Sequence, residues 1–189
     1  MIKIGILGEI GSGKSYIAKC FRYPVFNADN EVSKLYKKDK KVFNKLKKIL
    51  PNFFYKFPID KNEVSNAILS NDNNLKKIVK IVHYEIKKKL KIFLKKNQKR
   101  KAVVLDIPLL LENKINSKKD ILIFIESKKK DIYKNLIKRK NYNKKLLNKF
   151  KKIQLPIDYK RKKSQFIVKN DFTNRSVKRE VNKVLKYIL

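Results

Sequence analysis

Gly8-Glu9-Ile10-Gly11-Ser12-Gly13-Lys14-Ser15 is the stretch from which the rest of this chain can be read. It satisfies G-x-x-x-x-G-K-[ST], the pattern of a loop that wraps the phosphates of a nucleotide. The apolar run Ile2-Lys3-Ile4-Gly5-Ile6-Leu7 before it predicts a buried strand, and Tyr16-Ile17-Ala18-Lys19-Cys20-Phe21 after it predicts a helix. Strand, glycine loop and helix are the context the pattern needs. All four glycines of the chain fall between residues 5 and 13, so the residue without a Cβ is concentrated where backbone N–H groups must close around an anion. The helix that follows would aim its unpaired N–H groups and the positive end of its dipole at the phosphates. Lys14 would bridge the β- and γ-phosphates and the Ser15 hydroxyl would ligate Mg²⁺, which makes ATP and Mg²⁺ the expected co-substrate and metal. A glycine turn with no ligand is the competing reading, and the flanking elements argue against it.

Composition narrows the remaining classes. A chain of 189 residues suits one domain with a small insert and is long enough for a substantial core. Its longest apolar run, Ala102 to Leu111, contains Asp106 and falls short of the roughly 18 residues of a membrane span, so no membrane association is expected. The chain opens directly on a strand, and no cleavable leader is expected. One cysteine, Cys20, cannot form an intramolecular disulfide and is expected to pack as a small apolar residue. A cytoplasmic location fits these features.

The formal charge of +35 rests on 45 lysines and only six arginines. Lysine is a solvated point charge, whereas nucleic-acid readers favour the arginine fork. The lysines are spread along nearly every predicted helix, and asparagine and isoleucine are abundant too, so a general compositional drift explains the excess at least as well as a function would. No specific nucleic-acid partner is expected. The charge should instead draw in anionic nucleotides in a salt-dependent way.

Beyond the first helix, Tyr23 to Asp29 reads as a short strand that places Asp29 at its carboxyl end, where open α/β sheets bind ligands. A helix is predicted from about Glu31 to Lys38. Residues 39–98 read as helical and polar, interrupted near Pro51 to Pro58 by an aromatic connector whose rings are expected to pack, with a stacking surface for a base as the alternative. Lys101 to Ile107 is the clearest central strand, apolar on both faces and closing on Asp106. A strand at Asp120 to Glu126, a helix at Lys128 to Arg139, a long basic helix reaching about Lys163, a strand at Gln165 to Lys169 and a helix at Ser176 to Ile188 complete the pattern. The C-terminal helix carries Val177, Val181, Val184, Leu185 and Ile188 on one face. The lysine runs read as solvated faces. Alternation of strands and helices predicts an α/β fold: a parallel sheet of about five strands with helices on both faces.

Taken together, these residues resemble the dephospho-CoA kinases. Ile4 to Ser15 follows the family's strand and phosphate loop, and Asn27-Ala28-Asp29 falls where the family has D-A-D. Ile81-Val82-His83 matches an I-x-H-P segment, Asp106 to Glu112 matches D-x-P-L-L-x-E, and Arg139, Gln154 and Asn170 keep the spacing of its lid arginine, glutamine and late asparagine. The resemblance spans about residues 2 to 172. It implies a single P-loop kinase domain over residues 1–189, with a helical substrate-binding insert at about 31–98 and a lid at about 139–163. The implied reaction is transfer of the γ-phosphoryl group of ATP to the ribose 3′-hydroxyl of dephospho-CoA, the last step of coenzyme A biosynthesis, by a monomer or weak homo-oligomer.

The family's roles carry over by position. Asp29 is the candidate base or orienter for the attacking hydroxyl, with a helix N-cap as its ordinary alternative. Lys14 and Arg139 would steady charge on the transferring group, Arg139 from a mobile lid. Gly8, Gly11, Ser12, Gly13, Lys14, Ser15 and Tyr16 would form the nucleotide site, and Asn170 would read the adenine, with an ordinary turn asparagine as its alternative. Asp106 resembles the second acidic residue that organises Mg²⁺ and its waters; a helix cap or a buried partner for Lys14 is the alternative. His83, the only histidine, together with Asp106, Pro108 and Leu109 would line the dephospho-CoA side; a packed or capping histidine is its ordinary alternative. The chain departs from the pattern at Tyr16, Asn27 and Tyr84, at Ser164-Gln165, and at Asn135, where the family often carries a second lid arginine that Lys134 or Lys138 would have to replace.

Two rival readings remain. One is a P-loop kinase for a nucleoside monophosphate or another small alcohol, which the D-x-P-L-L-x-E segment and His83 disfavour. The other, from a different class, is a basic nucleic-acid-binding protein with a regulatory nucleotide site. It would need a clustered arginine patch or regularly spaced aromatics on strands, and the sequence offers neither.

Overall fold

The computed structural model describes residues 1–188. Five strands, β1 (Ile2–Gly8), β2 (Val25–Asn27), β3 (Ala102–Asp106), β4 (Ile121–Glu126) and β5 (Phe166–Lys169), form one sheet in the order β2-β3-β1-β4-β5. Every pairing is parallel. Each strand is therefore reached through a crossover, and the helices supply most of these: α1 (Lys14–Cys20), α2 (Ala28–Lys38), α3 (Lys40–Ile49), α4 (Lys61–Ser70), α5 (Asp72–Lys96), α6 (Lys129–Ile137), α7 (Lys144–Lys152), α8 (Ile157–Lys163) and α9 (Asn174–Ile188).

All five residues of β3 are buried. Successive side chains in a strand point to opposite faces, so the sheet is covered on both. On one face Ile4, Ile6, Val104, Ile123, Ile125 and Val168 form a core with Ile17, Ala18 and Phe21 of the α1 region and Val177, Val181 and Val184 of α9. Cys20 packs against this cluster as a part-buried apolar residue. Leu7, Val103, Leu105, Leu122 and Phe124 are buried at the alternating positions, and α8 packs along β1 and β4.

The chain divides into two compact units. The first holds Met1–Asn27, Leu94–Tyr142 and the segment from Gln154, which carry the whole sheet. The second holds Ala28–Phe93 and Asn143–Ile153. Its helices start where side chains cap them: Asp39 accepts from the Val42 N–H at 3.1 Å, Asp60 from Asn62 at 2.7 Å, and Asn143 from Leu146 at 2.9 Å. Within this unit α7 packs on α4, and Lys149 joins it to the α4–α5 corner through the Leu69 carbonyl at 3.1 Å and Asp72 at 2.8 Å. In the aromatic connector, Phe54 is fully buried while Tyr55 faces solvent.

Three readings from sequence need correction. Strand β2 ends at Asn27, so Asp29 lies in the first turn of α2 rather than at a strand terminus. The long basic helix is two helices, α7 and α8, because Pro156 cannot continue α7 and instead stands at the N-cap of α8. Nor are all the lysines solvated: Lys160, inside the run Lys160-Arg161-Lys162-Lys163, is 1 % exposed.

Candidate active site

The phosphate-binding loop joins β1 to α1. Gly8 and Gly13 have φ of 147° and 86°, a region closed to most side chains. A Cβ on Gly8 would meet the Ile125 carbonyl oxygen at 2.8 Å, and one on Gly13 would collide with the Asn170 amide. Lys14 curls back over the loop, its ammonium donating to the carbonyl oxygens of Gly8 at 3.1 Å and Glu9 at 2.8 Å. The ammonium thus rests on the loop's own carbonyl oxygens. Ser15 and Tyr16 are exposed at the start of α1, and the Tyr16 hydroxyl donates to Asn174 Oδ1.

Side chains from outside brace the loop through its carbonyl oxygens, and within it the Ser12 N–H donates to the Glu9 carbonyl oxygen at 3.1 Å. The Ser12 oxygen accepts from Ser127 Oγ at 3.1 Å and from Asn170 Nδ2 at 2.8 Å. The Gly11 oxygen accepts from Asn135 Nδ2 at 2.9 Å. The Ser12 hydroxyl is buried without a hydrogen-bond partner, an orphan polar group inside the loop of the kind that marks a ligand contact.

Asp106 closes β3 at 2 % exposure. In register it faces Asn27, whose amide donates to Asp106 Oδ2. Pro108 and Leu109 follow, half-buried. Glu112 and Gln154, both part of the matched pattern, meet in a buried network. Lys160 Nζ lies 2.6 Å from Glu112 Oε1 and 3.3 Å from Gln154 Oε1, and the Leu155 N–H reaches Glu112 Oε1 at 3.0 Å.

Arg139 is exposed just beyond α6. In the second unit, Asp29 is exposed in the first turn of α2, where its charge also suits the helix dipole. His83 lies half-buried on α5, with a buried Nε2 that has no hydrogen-bond partner. Burial, with a smaller contribution from the Lys87 charge, holds its imidazole below the ordinary histidine value. Tyr84 beside it is exposed, with Lys88 Nζ 4.2 Å from its ring centre.

The structure thus gathers the loop residues, Ser127, Asn135, Asn170 and the Asn27–Asp106 pair in the sheet unit. Asp29 and His83 belong to the helical unit. Ser127, Asn135 and Lys160 escaped the reading of the sequence as working residues, because no local pattern shows that a serine, an asparagine or one lysine in a basic run will face the loop or the interior. Asn170 gave a signal, but its amide is engaged at both ends, to Ser12 and to the Phe172 N–H.

The sequence pattern of the dephospho-CoA kinase family matches residues 2–176. A dephospho-CoA kinase of Wolbachia pipientis is 34 % identical over 187 residues, covering 96 % of this chain and 95 % of that protein. Two solved structures share the fold. One, from Thermus thermophilus, has a TM-score of 0.79 at 24 % identity over 100 % of this chain and 98 % of that one. The other, a dephospho-CoA kinase from Campylobacter jejuni, has a TM-score of 0.64 at 22 % identity over 98 % of this chain and 96 % of that one. With a family match over nearly its whole length and a phosphate loop built and braced as described, the chain belongs to the dephospho-CoA kinase family.

Proposed function

We propose that this protein transfers the γ-phosphoryl group of ATP to the ribose 3′-hydroxyl of dephospho-CoA, giving CoA and ADP. The observation that carries the reading is the loop, with Lys14 held at its own carbonyls and the Ser12 hydroxyl buried without a partner. When triphosphate binds, Lys14 exchanges those carbonyl oxygens for β- and γ-phosphate oxygens. The Ser15 hydroxyl and the Asp106 carboxylate are hard oxygen donors of the type Mg²⁺ accepts. A magnesium ion held by Ser15, with Asp106 orienting its waters, would neutralise charge on the phosphates.

Asp29 takes the 3′-hydroxyl proton or orients that hydroxyl, and Arg139 steadies the transferring group. His83, with its buried unpartnered nitrogen, together with Pro108 and Leu109, contacts the acceptor. The helical unit also contains a cavity of about 670 Å³ lined by Lys34, Lys38, Lys40, Lys41, Lys89 and Phe57 among others. Such a hollow suits the anionic portion of the acceptor. As in the sequence reading, the insert supplies the substrate side and the segment near residues 139–163 the lid. No helix among the described residues is long and apolar enough to cross a membrane, and we place the enzyme in the cytoplasm.

An ADP-release assay with Mg²⁺, offering dephospho-CoA and a nucleoside monophosphate in parallel, tests the assignment. Turnover confined to dephospho-CoA supports it, and turnover confined to the nucleotide transfers the assignment to the rival kinase class. Asp29→Asn should lower kcat by about 10²–10⁴-fold while ATP affinity is retained; an unchanged kcat removes Asp29 from the mechanism.

A further inference from the structure

Phe172 combines three features that its neighbours do not share. Its φ is 64°, a left-handed conformation that a bulky residue keeps only where its surroundings hold it. This large apolar residue is nevertheless 37 % exposed. A Cβ built on Gly13 would lie 3.4 Å from its Cε1, so the ring sits against the phosphate-binding loop.

The turn that carries Phe172 is fastened to the loop. The buried Asn170 amide donates to the Ser12 oxygen at 2.8 Å and accepts from the Phe172 N–H at 2.9 Å. Asp171 accepts from the N–H and hydroxyl of Thr173 at 2.9 and 2.8 Å, and Asn174 accepts from the Tyr16 hydroxyl on α1. Loop, turn and first helix are thus linked through Asn170, Tyr16 and the ring itself. The position of the ring relative to the phosphates is set before any ligand arrives.

A phenyl ring offers a phosphate nothing, because its face carries partial negative charge. What it suits is a flat π surface attached to the phosphates. We propose that Phe172 is a specificity residue of the nucleotide site, its ring stacking on the purine base of ATP, with Asn170 as the positioning residue that holds it there. The proposal rests on the reading of the chain as an ATP-dependent kinase and adds to it the means by which this chain distinguishes ATP from bare polyphosphate.

Calorimetric titration of the full-length protein with ATP and with inorganic tripolyphosphate, both with Mg²⁺, tests this. Phe172→Leu keeps apolar bulk and removes the π face, whereas Phe172→Tyr keeps the face. The leucine variant should bind ATP roughly tenfold more weakly, as expected for loss of one base stack, with tripolyphosphate affinity unchanged. The tyrosine variant should bind ATP as the wild type does. Retained tripolyphosphate binding also shows that the loop is intact. If the leucine variant binds ATP normally, or loses ATP and tripolyphosphate in equal measure, the stacking role is wrong while wild-type turnover of dephospho-CoA leaves the kinase reading standing. A wild-type protein that binds neither compound and does not turn over dephospho-CoA overturns both.

Discussion

Asn27 stands opposite Asp106 in the register of β2 and β3, and its amide donates to that buried carboxylate. A carboxylate at residue 27 would put two acceptors together where one is 2 % exposed. Asn27→Asp is expected to cost about 1–3 kcal/mol of stability in the absence of nucleotide, read from the denaturation midpoint; an unchanged midpoint would show that the hydrogen bond carries no weight. His83 makes a pH-dependent prediction. Its folded value is lowered by burial and by Lys87, so the unfolded chain takes up the proton first. Stability is therefore complete above about pH 6.5 and declines as pH falls through the window between that value and the lower folded one. His83→Gln should flatten this slope in thermal scans between about pH 5 and 7.5, and a slope that survives the substitution assigns the effect to other groups.

Among the elements, α8 shows most clearly how burial decides the meaning of a charge. Lys160 and Glu112 pair at 2.6 Å with side chains 2 % and 9 % exposed, so removing one partner strands the other. Lys160→Ala is expected to destabilise by about 3–5 kcal/mol, whereas Lys160→Met combined with Glu112→Leu should recover most of that loss. Equal losses in the single and double variants would mean that packing, not charge, governs the site. The strands were legible from sequence because parallel strands covered on both faces must be largely apolar, as β3 is up to Asp106. The phosphate loop was legible because its chemistry is local in sequence. The break at Pro156 was passed over because lysine-rich periodicity continues on both sides of it. The inward turn of Lys160 and of Asn135, which the sequence marked only as a missing lid arginine, escaped for another reason: whether a side chain turns inward depends on β1, β4 or the loop packed against it, and residue spacing carries no record of such neighbours.

For the whole molecule, the +35 charge is a self-repulsion that counter-ions relieve. Added salt should raise the thermal midpoint while weakening ATP binding, since the first effect screens like charges and the second screens attraction. A midpoint that falls from low to physiological salt would show that the ion pairs, such as Lys149–Asp72 and Lys45–Glu85, outweigh the repulsion. The division into a sheet unit and a helical unit was only partly readable in advance. The insert follows from a helical pattern with no strand alternation in it, but the grouping of α7 with it depends on Lys149 reaching Asp72 and the Leu69 carbonyl across a long sequence interval.

The seclusion of Lys160 has a further, practical use. Of 45 lysine amines, it is the only one buried among the described residues, so an acylating reagent applied to the native enzyme should modify the rest and spare this one. The rate at which residue 160 acquires the label then clocks the opening of the fold, with every surface amine serving as an internal standard.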